Sequence, residues 1–280
     1  MKLKSISASA IKTFETCPKK FYYEYILKKR APSHPAAVAG SCLHRMFENA
    51  CNAVIKEESI EKHDPLFFFD ACVKEFDVQP DYQSVVKELT KNCVDWGYMD
   101  LKAAQGFEIS AKFPLPCGVE VHGFIDRLDI DRDCHANIID LKTQKEAFTK
   151  EELEHNWQAM IYFLATVNDN PMIQGDVKVS FWVLRHKIQE MFIPQSRFDE
   201  IYNELNTKTE EILKADYGRM CPSGLCQFCV AEDCVQKRKI QTFGKKDISE
   251  SAKEMTAFLK NLREKKIKVT KPETSLDSLD

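Results

Sequence analysis

Within the stretch GFIDRLDIDRDCHANIIDLKT, residues 123–143, three residues are of types that do chemistry at short range: Asp126, Asp140 and Lys142. Strand-like runs flank a polar turn. A β-hairpin centred on Asp133 places Asp126 directly opposite Asp140, with Cβ atoms about 5 Å apart. Lys142 lies two residues beyond Asp140 and shares its face. A register slip of one residue would scatter the three, so the geometry depends on the turn. Two opposed carboxylates repel unless something cationic bridges them. A hard divalent cation, Mg²⁺ or Mn²⁺, does so through oxygen ligands. A lysine beside it orients or helps deprotonate a bound water, which is the layout of metal-assisted phosphodiester hydrolysis. The competing expectation is a solvated hairpin face with a surface Asp–Lys pair. Ile138, Ile139 and Leu141 argue against it, because they surround Asp140 and Lys142 with apolar neighbours.

Two further pairs have helical spacing. Gln158 and Tyr162 stand at i and i+4 of HNWQAMIYFLATV, on one face of an otherwise apolar helix. They can reach a scissile phosphate or a water, or they are an amphipathic edge. His44 and Glu48 repeat the spacing in AGSCLHRMFENA. His44 offers a nitrogen ligand, and Gly40 permits close approach of another segment. A lone helix histidine is otherwise structural.

The elements that must position these residues follow from periodicity. Residues 5–30 read as helix, broken near Pro18, with Ser7 or Ser9 as cap. A second helix starts near Ala37, and residues 65–105 read as further helices. The pattern changes near Gly106: FEISAKFPLP, VEVHGFIDRLDI and ANIIDLKT are strands. EELEHNWQAMIYFLATV reads as one helix, DVKVSFWVLR and KIQEMFIP as paired strands, and SRFDEIYNELNTKTEEILKAD as a polar-faced helix. The order predicts an α/β fold: a mixed sheet flanked by helices, with a helical N-terminal layer and a C-terminal cysteine module.

The chain has 280 residues, 44% hydrophobic and 30% charged, with a formal net charge of −3. That suffices for one large core or a core with a small appendage. No apolar run is long enough to span a bilayer, and the N-terminus lacks an apolar signal region. Eleven cysteines, an odd number, point to a reducing compartment and a cytoplasmic location. Cys42, Cys51, Cys72, Cys93, Cys117 and Cys134 are scattered and read as buried small apolar residues. CPSGLCQFCVAEDC carries Cys226-x-x-Cys229 and then Cys234, the spacing of metal ligands. Zinc and an iron–sulfur cluster both suit such thiolates. The fourth ligand is either Cys221 or Cys17.

The series GxxxH (Gly40–His44), GFIDR (Gly123–Arg127), DLK (Asp140–Lys142) and QxxxY (Gln158–Tyr162) resembles the PD-(D/E)XK nucleases of the RecB-like branch, which includes RecB and AddB nuclease domains and CRISPR-associated RecB-like exonucleases. The resemblance covers roughly residues 5–240. It implies a restriction-endonuclease-like fold in which Asp126, Asp140, His44 and the Leu141 carbonyl bind Mg²⁺ or Mn²⁺. Lys142 is then the catalytic lysine, and Gln158 and Tyr162 contact DNA or position the water. Glu108 matches an acidic position ahead of the second motif less firmly. Aspartate stands at Asp140 where many relatives carry glutamate.

The segment around Cys17 is similar to the N-terminal cysteine region of cluster-bearing members. The resemblance therefore favours Cys17, Cys226, Cys229 and Cys234 as ligands of a [4Fe–4S] cluster, a clasp between the chain's early and late segments. Residues 1–240 are then the nuclease domain, with the cluster module closed by the N-terminal segment and residues 217–240. Residues 241–280 are a charged tail with one helix and then disorder. Lys19, Lys20, Lys28, Lys29 and Arg30 interleave with Phe21, Tyr22, Tyr23 and Tyr25, and suit either DNA contact or a packed, solvent-fringed segment. Lys237, Arg238 and Lys239 add to the basic side. The expected activity is exonuclease cleavage of single-stranded DNA or DNA ends. The rival expectations are a catalytically quiet DNA-binding or assembly subunit and a zinc-ribbon DNA-binding protein. No phosphate-binding helicase loop is present, so unwinding calls for a helicase or a recombination or CRISPR partner.

Overall fold

The run Ile138-Ile139-Asp140-Leu141 is buried on both faces, as a strand in the middle of a sheet must be. A computed structural model of the protein describes residues 3–222, 226 and 229–235. Lys237, Arg238, Lys239 and the 241–280 tail lie outside the described residues. In chain order the elements are β1 (Ser5–Ile6), α1 (Ala8–Thr16), α2 (Pro18–Phe21), α3 (Pro35–Ile55), α4 (Phe69–Phe76), α5 (Pro80–Asp95), β2 (Ala104–Pro114), β3 (Glu120–Ile130), β4 (Ala136–Lys142), α6 (Lys150–Glu154), α7 (Trp157–Asp169), β5 (Val177–Val183), β6 (Lys187–Ile193) and α8 (Phe198–Lys214). The chain divides into two compact units, Met1–Thr13 with Pro32–Ala215, and Phe14–Ala31 with Asp216–Asp280.

The first unit holds a mixed sheet in the order β1-β3-β4-β5-β6, with β2 also on β3. The β3–β4 hairpin has the expected register, Arg127↔Ile139 through Ile130↔Ala136. Its turn is pinned by Asp131, whose Oδ1 accepts the backbone N–H of Asp133 and of His135, each at 2.9 Å. β2 runs along one edge of β3 from Asp129 to Glu120. The other edge is divided: β4 takes residues 127–130 and β1 takes Glu120 and Val121. β4 then pairs in parallel with β5, and β5 antiparallel with β6.

Helices cover both faces. Ile139, Leu141, Trp182 and Leu184 join a core with Leu43, Met46 and Phe47 of α3 and Val86, Leu89 and Cys93 of α5. On the other face α7 packs against β2, β3, β5 and α8. The mixed sheet between helical layers is the architecture expected from the element order, and it is the restriction-endonuclease-like fold that the resemblance implies.

Several local readings change. The single helix expected over residues 151–167 is two, because Asn156 starts a new one. Its side chain accepts the N–H groups of Gln158 and Ala159 at 3.0 and 3.1 Å, while Thr149 and Glu152 form a capping box on α6. The helices expected to 105 end at Asp95, and β2 starts at Ala104. Ser7, not Ser9, caps α1 through the Ala10 N–H. Cys42, Cys51, Cys72 and Cys93 are buried as expected, but Cys117 and Cys134 are half-buried. Both belong to hairpin turns, and Cys134 holds φ at 63°. Among the described residues no helix is long and apolar enough to cross a membrane.

One buried ion pair ties β3 to the segment after α5. The Arg127 side chain is 4% exposed and bridges Asp129 through two hydrogen bonds of 2.6 and 2.7 Å. It also donates to the carbonyls of Tyr98 and Asp100 and stands over the Tyr98 ring. Removing the guanidinium strands Asp129 and both carbonyls. Arg127→Met should therefore lower the unfolding free energy by about 3 kcal/mol, read as a lower midpoint in chemical denaturation.

Candidate active site

Strand alternation decides where β4 sends its polar groups. Ile139 and Leu141 enter the α3–α5 core, so Asp140 between them turns the opposite way, toward α7. There it is 2% exposed and meets two partners. Its Oδ1 accepts a hydrogen bond from Gln158 Nε2 at 2.8 Å. Its Oδ2 lies 2.5 Å from Lys142 Nζ as an ion pair, yet accepts no hydrogen bond of good geometry. Lys142 Nζ donates to Gln158 Oε1 at 2.8 Å, and Gln158 Nε2 also donates to Tyr162 Oη at 2.8 Å. One amide thus holds carboxylate, ammonium and phenol in a single array. Tyr162 is 5% exposed. Its ring explains Gly123, where a Cβ would lie 2.9 Å from Tyr162 Cε1.

Asp126 and Asp140 are the first positions past the last β3–β4 rung, where the divided edge of β3 opens. The Asp126 carboxylate fills the place of a ladder partner: its Oδ2 accepts the Leu141 N–H at 2.7 Å. Its Oδ1 lies 3.2 Å from His44 Nδ1 on α3. Glu108 completes this side. Its ligand atom, that of His44 and that of Asp126 all lie within 4.8 Å of one another. Glu108 sits inside β2 at φ 48°, a left-handed conformation that is strained for a glutamate. The β2–β3 ladder pairs Phe107↔Arg127 and Ile109↔Ile125 but skips Glu108 and Asp126. Glu108 is only weakly marked in the sequence, because strand alternation says nothing of a left-handed residue. Its acidic type amid apolar neighbours was the available signal.

The electrostatics reflect crowded negative charge. Burial pushes the Asp140 carboxyl up, and nearby Asp126 adds to this against the pull of Lys142. Burial, then Asp126, raises Glu108 to about 6. Burial works against charge on His44, but Asp126 outweighs it and lifts the imidazole to about 9. Asp126 is held low: burial opposes its charge, and His44 more than compensates. A cation among His44, Glu108 and Asp126 would relieve the repulsion, while the buried Asp140 Oδ2 is ion-paired to Lys142 beside that group. The donor set of carboxylates and one imidazole fits a divalent ion such as Mg²⁺ or Mn²⁺.

His44, Glu108, Asp126, Leu141 and Lys142 all line one cleft of about 840 Å³, while Gln158 and Tyr162 stand behind Lys142. Glu48 lines the cleft too but is bound to Arg45 at 2.6 Å. Gly40 lets α3 approach the end of β4, since a Cβ there would lie 3.0 Å from Thr143 Oγ1.

In the second unit Cys17, Cys221, Cys226, Cys229 and Cys234 line one small pocket. Cys17 Sγ accepts the Cys221 N–H at 3.5 Å. Burial, then neighbouring sulfurs, raises the Cys229 and Cys221 thiols. Five sulfurs gathered this way fit a thiolate-bound centre, whose positive charge would offset the cost of ionising them. The basic stretch beside Cys17 is largely committed within its own unit. Lys19 pairs with Asp233 at 2.8 Å, which also accepts from Tyr23 Oη at 2.6 Å. Phe21 is fully buried and stacks on Tyr25 and Tyr217.

The PD-(D/E)XK nuclease superfamily pattern matches residues 5–234. Two solved structures are similar to the chain. One, a protein of Eubacterium rectale named as a candidate exonuclease, is 10% identical with a TM-score of 0.49, over 84% of this chain and 88% of its own. The other, SSO0001, is 14% identical with a TM-score of 0.42, over 84% of this chain and 87% of its own. No curated protein matches the sequence. With the superfamily pattern running through the sheet, the cleft and the cysteine segment alike, the chain belongs to the PD-(D/E)XK nuclease superfamily.

Proposed function

We propose that the protein is a RecB-like, divalent-metal-dependent deoxyribonuclease that acts as an exonuclease on single-stranded DNA or DNA ends. The observation that carries this reading is the Asp140–Lys142–Gln158 array beside the His44–Glu108–Asp126 group. His44, Glu108, Asp126, Asp140 and the Leu141 carbonyl would hold the metal. A bound Mg²⁺ or Mn²⁺ supplies an activated water and neutralises charge at the phosphate. The protein's part is positioning. Lys142 Nζ offers its remaining N–H groups to the attacking water or to a phosphoryl oxygen. Gln158 fixes both Lys142 and Asp140, and Tyr162 fixes the orientation of the Gln158 amide. His44 paired with Asp126 keeps that carboxylate ionised, and would have to release its proton to serve as a metal ligand itself.

The same reading takes Cys17, Cys226, Cys229 and Cys234 as ligands of a [4Fe–4S] cluster with a structural role, in a nuclease module spanning residues 1–240. Its support is the gathering of these thiols in one pocket. Hydrolysis needs no electron transfer, so the cluster stands apart from the chemistry. A helicase or a recombination or CRISPR protein is the partner this reading calls for, since the chain carries no helicase loop.

Two measurements test it. Anaerobically purified protein should degrade end-labelled DNA with Mg²⁺ or Mn²⁺ and not with EDTA, and Lys142→Ala should lower kcat by at least about 10²-fold. Glu108→Gln should instead raise the half-saturating Mn²⁺ concentration by about tenfold. A folded protein that fails to cut DNA with either metal overturns the nuclease reading and leaves a DNA-binding role. For the cluster, the purified protein should be brown with iron and sulfide, and Cys226→Ser should bleach it. Zinc with no visible absorption would replace the cluster with a zinc site.

A further inference from the structure

Four lysine and arginine side chains line the cleft, and their partners divide them into two kinds. Lys142 is held by Asp140 and Gln158. Arg45 is neutralised by Glu48 at 2.6 Å and faces Glu75 at 3.8 Å. Lys145 and Arg185 are exposed and have no carboxylate partner among the described residues. Yet the segment that carries them is tightly fixed. Leu184 N–H donates to the Lys142 carbonyl at 2.9 Å, and Arg185 Nε donates to the Thr143 carbonyl at 3.1 Å. The His186 ring bonds the Lys145 carbonyl. These hydrogen bonds join the chain after β5 to the chain after β4, at the carboxyl ends of two parallel strands. The Arg185 guanidinium spends one N–H on Thr143 and keeps the others for a ligand.

We propose that Lys145 and Arg185 form a phosphate clamp at this side of the cleft, which holds the sugar–phosphate backbone of the substrate strand next to the nucleotide being cut. The cleft therefore has an acidic floor for a cation and a basic rim for the strand. The identity of the ligand as DNA rests on the nuclease reading. The clamp itself rests on two uncompensated cations on an ordered backbone.

The test is binding of a fluorescein-labelled single-stranded oligonucleotide by the full chain carrying Lys142→Ala, with Ca²⁺ present and salt varied. Removing one cation that neutralises a phosphate of single-stranded DNA flattens the slope of log K against log salt by about 0.7, which is about fivefold in affinity at roughly 0.1 M salt. Arg185→Gln and Lys145→Gln should each show both changes. Lys91→Gln removes the same charge from an exposed site on α5 outside the cleft, and should show neither. Arg185→Lys gives up the Thr143 hydrogen bond but keeps the charge, and should recover most of the slope. Unchanged slopes in the glutamine variants, or no binding by the parent, overturn the clamp. Weaker binding at unchanged slope also overturns it, since that outcome reports a distorted β4 end. If the parent binds as expected but the wild type cuts no DNA, the nuclease reading falls and the clamp stands.

Discussion

A carboxylate in the middle of a buried strand is the constraint around which the molecule is arranged. Asp140 has apolar neighbours on either side and is almost wholly out of water. An ionised group in that position is costly unless it is paired and hydrogen-bonded. The strand cannot shift to expose it, because a one-residue slip would send Ile139 and Leu141 out of the α3–α5 core. The compensation must come from the facing helix. Asn156 starts α7 where Gln158 reaches Asp140, and Gln158 brings Lys142 and Tyr162 with it. The remaining oxygen, Asp140 Oδ2, is compensated by the Lys142 ammonium 2.5 Å away, and it is Lys142 that carries the array to the cleft.

The other half of the site depends on a division of labour along β3. A strand paired on both edges throughout would have no place for a side chain to intrude. Here β1 and β4 share one edge, and Asp126 enters the interval between them to take the Leu141 N–H. On the opposite edge the ladder skips a rung at Glu108, which adopts a strained conformation toward Asp126. Both departures from regular pairing fall at the same level of the sheet. Strained residues of this kind cluster at active sites and ligand clamps, where the surrounding structure holds them.

The hairpin was legible because its turn chemistry and its alternation agree: Asp131 pins the turn, and the apolar residues of β4 demand one register. The Gln158–Tyr162 pair was legible from spacing and Gly40 from its company, whereas the spacing of His44 and Glu48 did not show that Glu48 pairs with Arg45 and His44 with Asp126. Glu108 was poorly legible because positive φ breaks the alternation used to place it. The stop at Asn156 was hidden inside a run that reads as continuous helix, with the cap visible only through its hydrogen bonds. The aromatic residues after Cys17 looked equally suited to bases and to packing. Composition cannot separate the two, and ring stacking within that unit can.

The four buried cysteines of the α3–α5 core differ chemically from the five sulfurs of the cysteine pocket and from the half-buried Cys117 and Cys134 of the hairpin turns. Burial pushes the Cys42 and Cys51 thiols up to about 12 and the Cys93 thiol well above its ordinary value. Held as thiols away from solvent, they are poor nucleophiles toward oxidants and alkylating reagents. The five sulfurs of the second unit are partly accessible, apart from Cys234. Oxidative damage is thereby directed to the partly accessible thiols of the cysteine pocket and of the hairpin turns, and the core beneath the cleft is shielded from it. A protein handled in air would age at these accessible thiols first, with its helical core chemically intact.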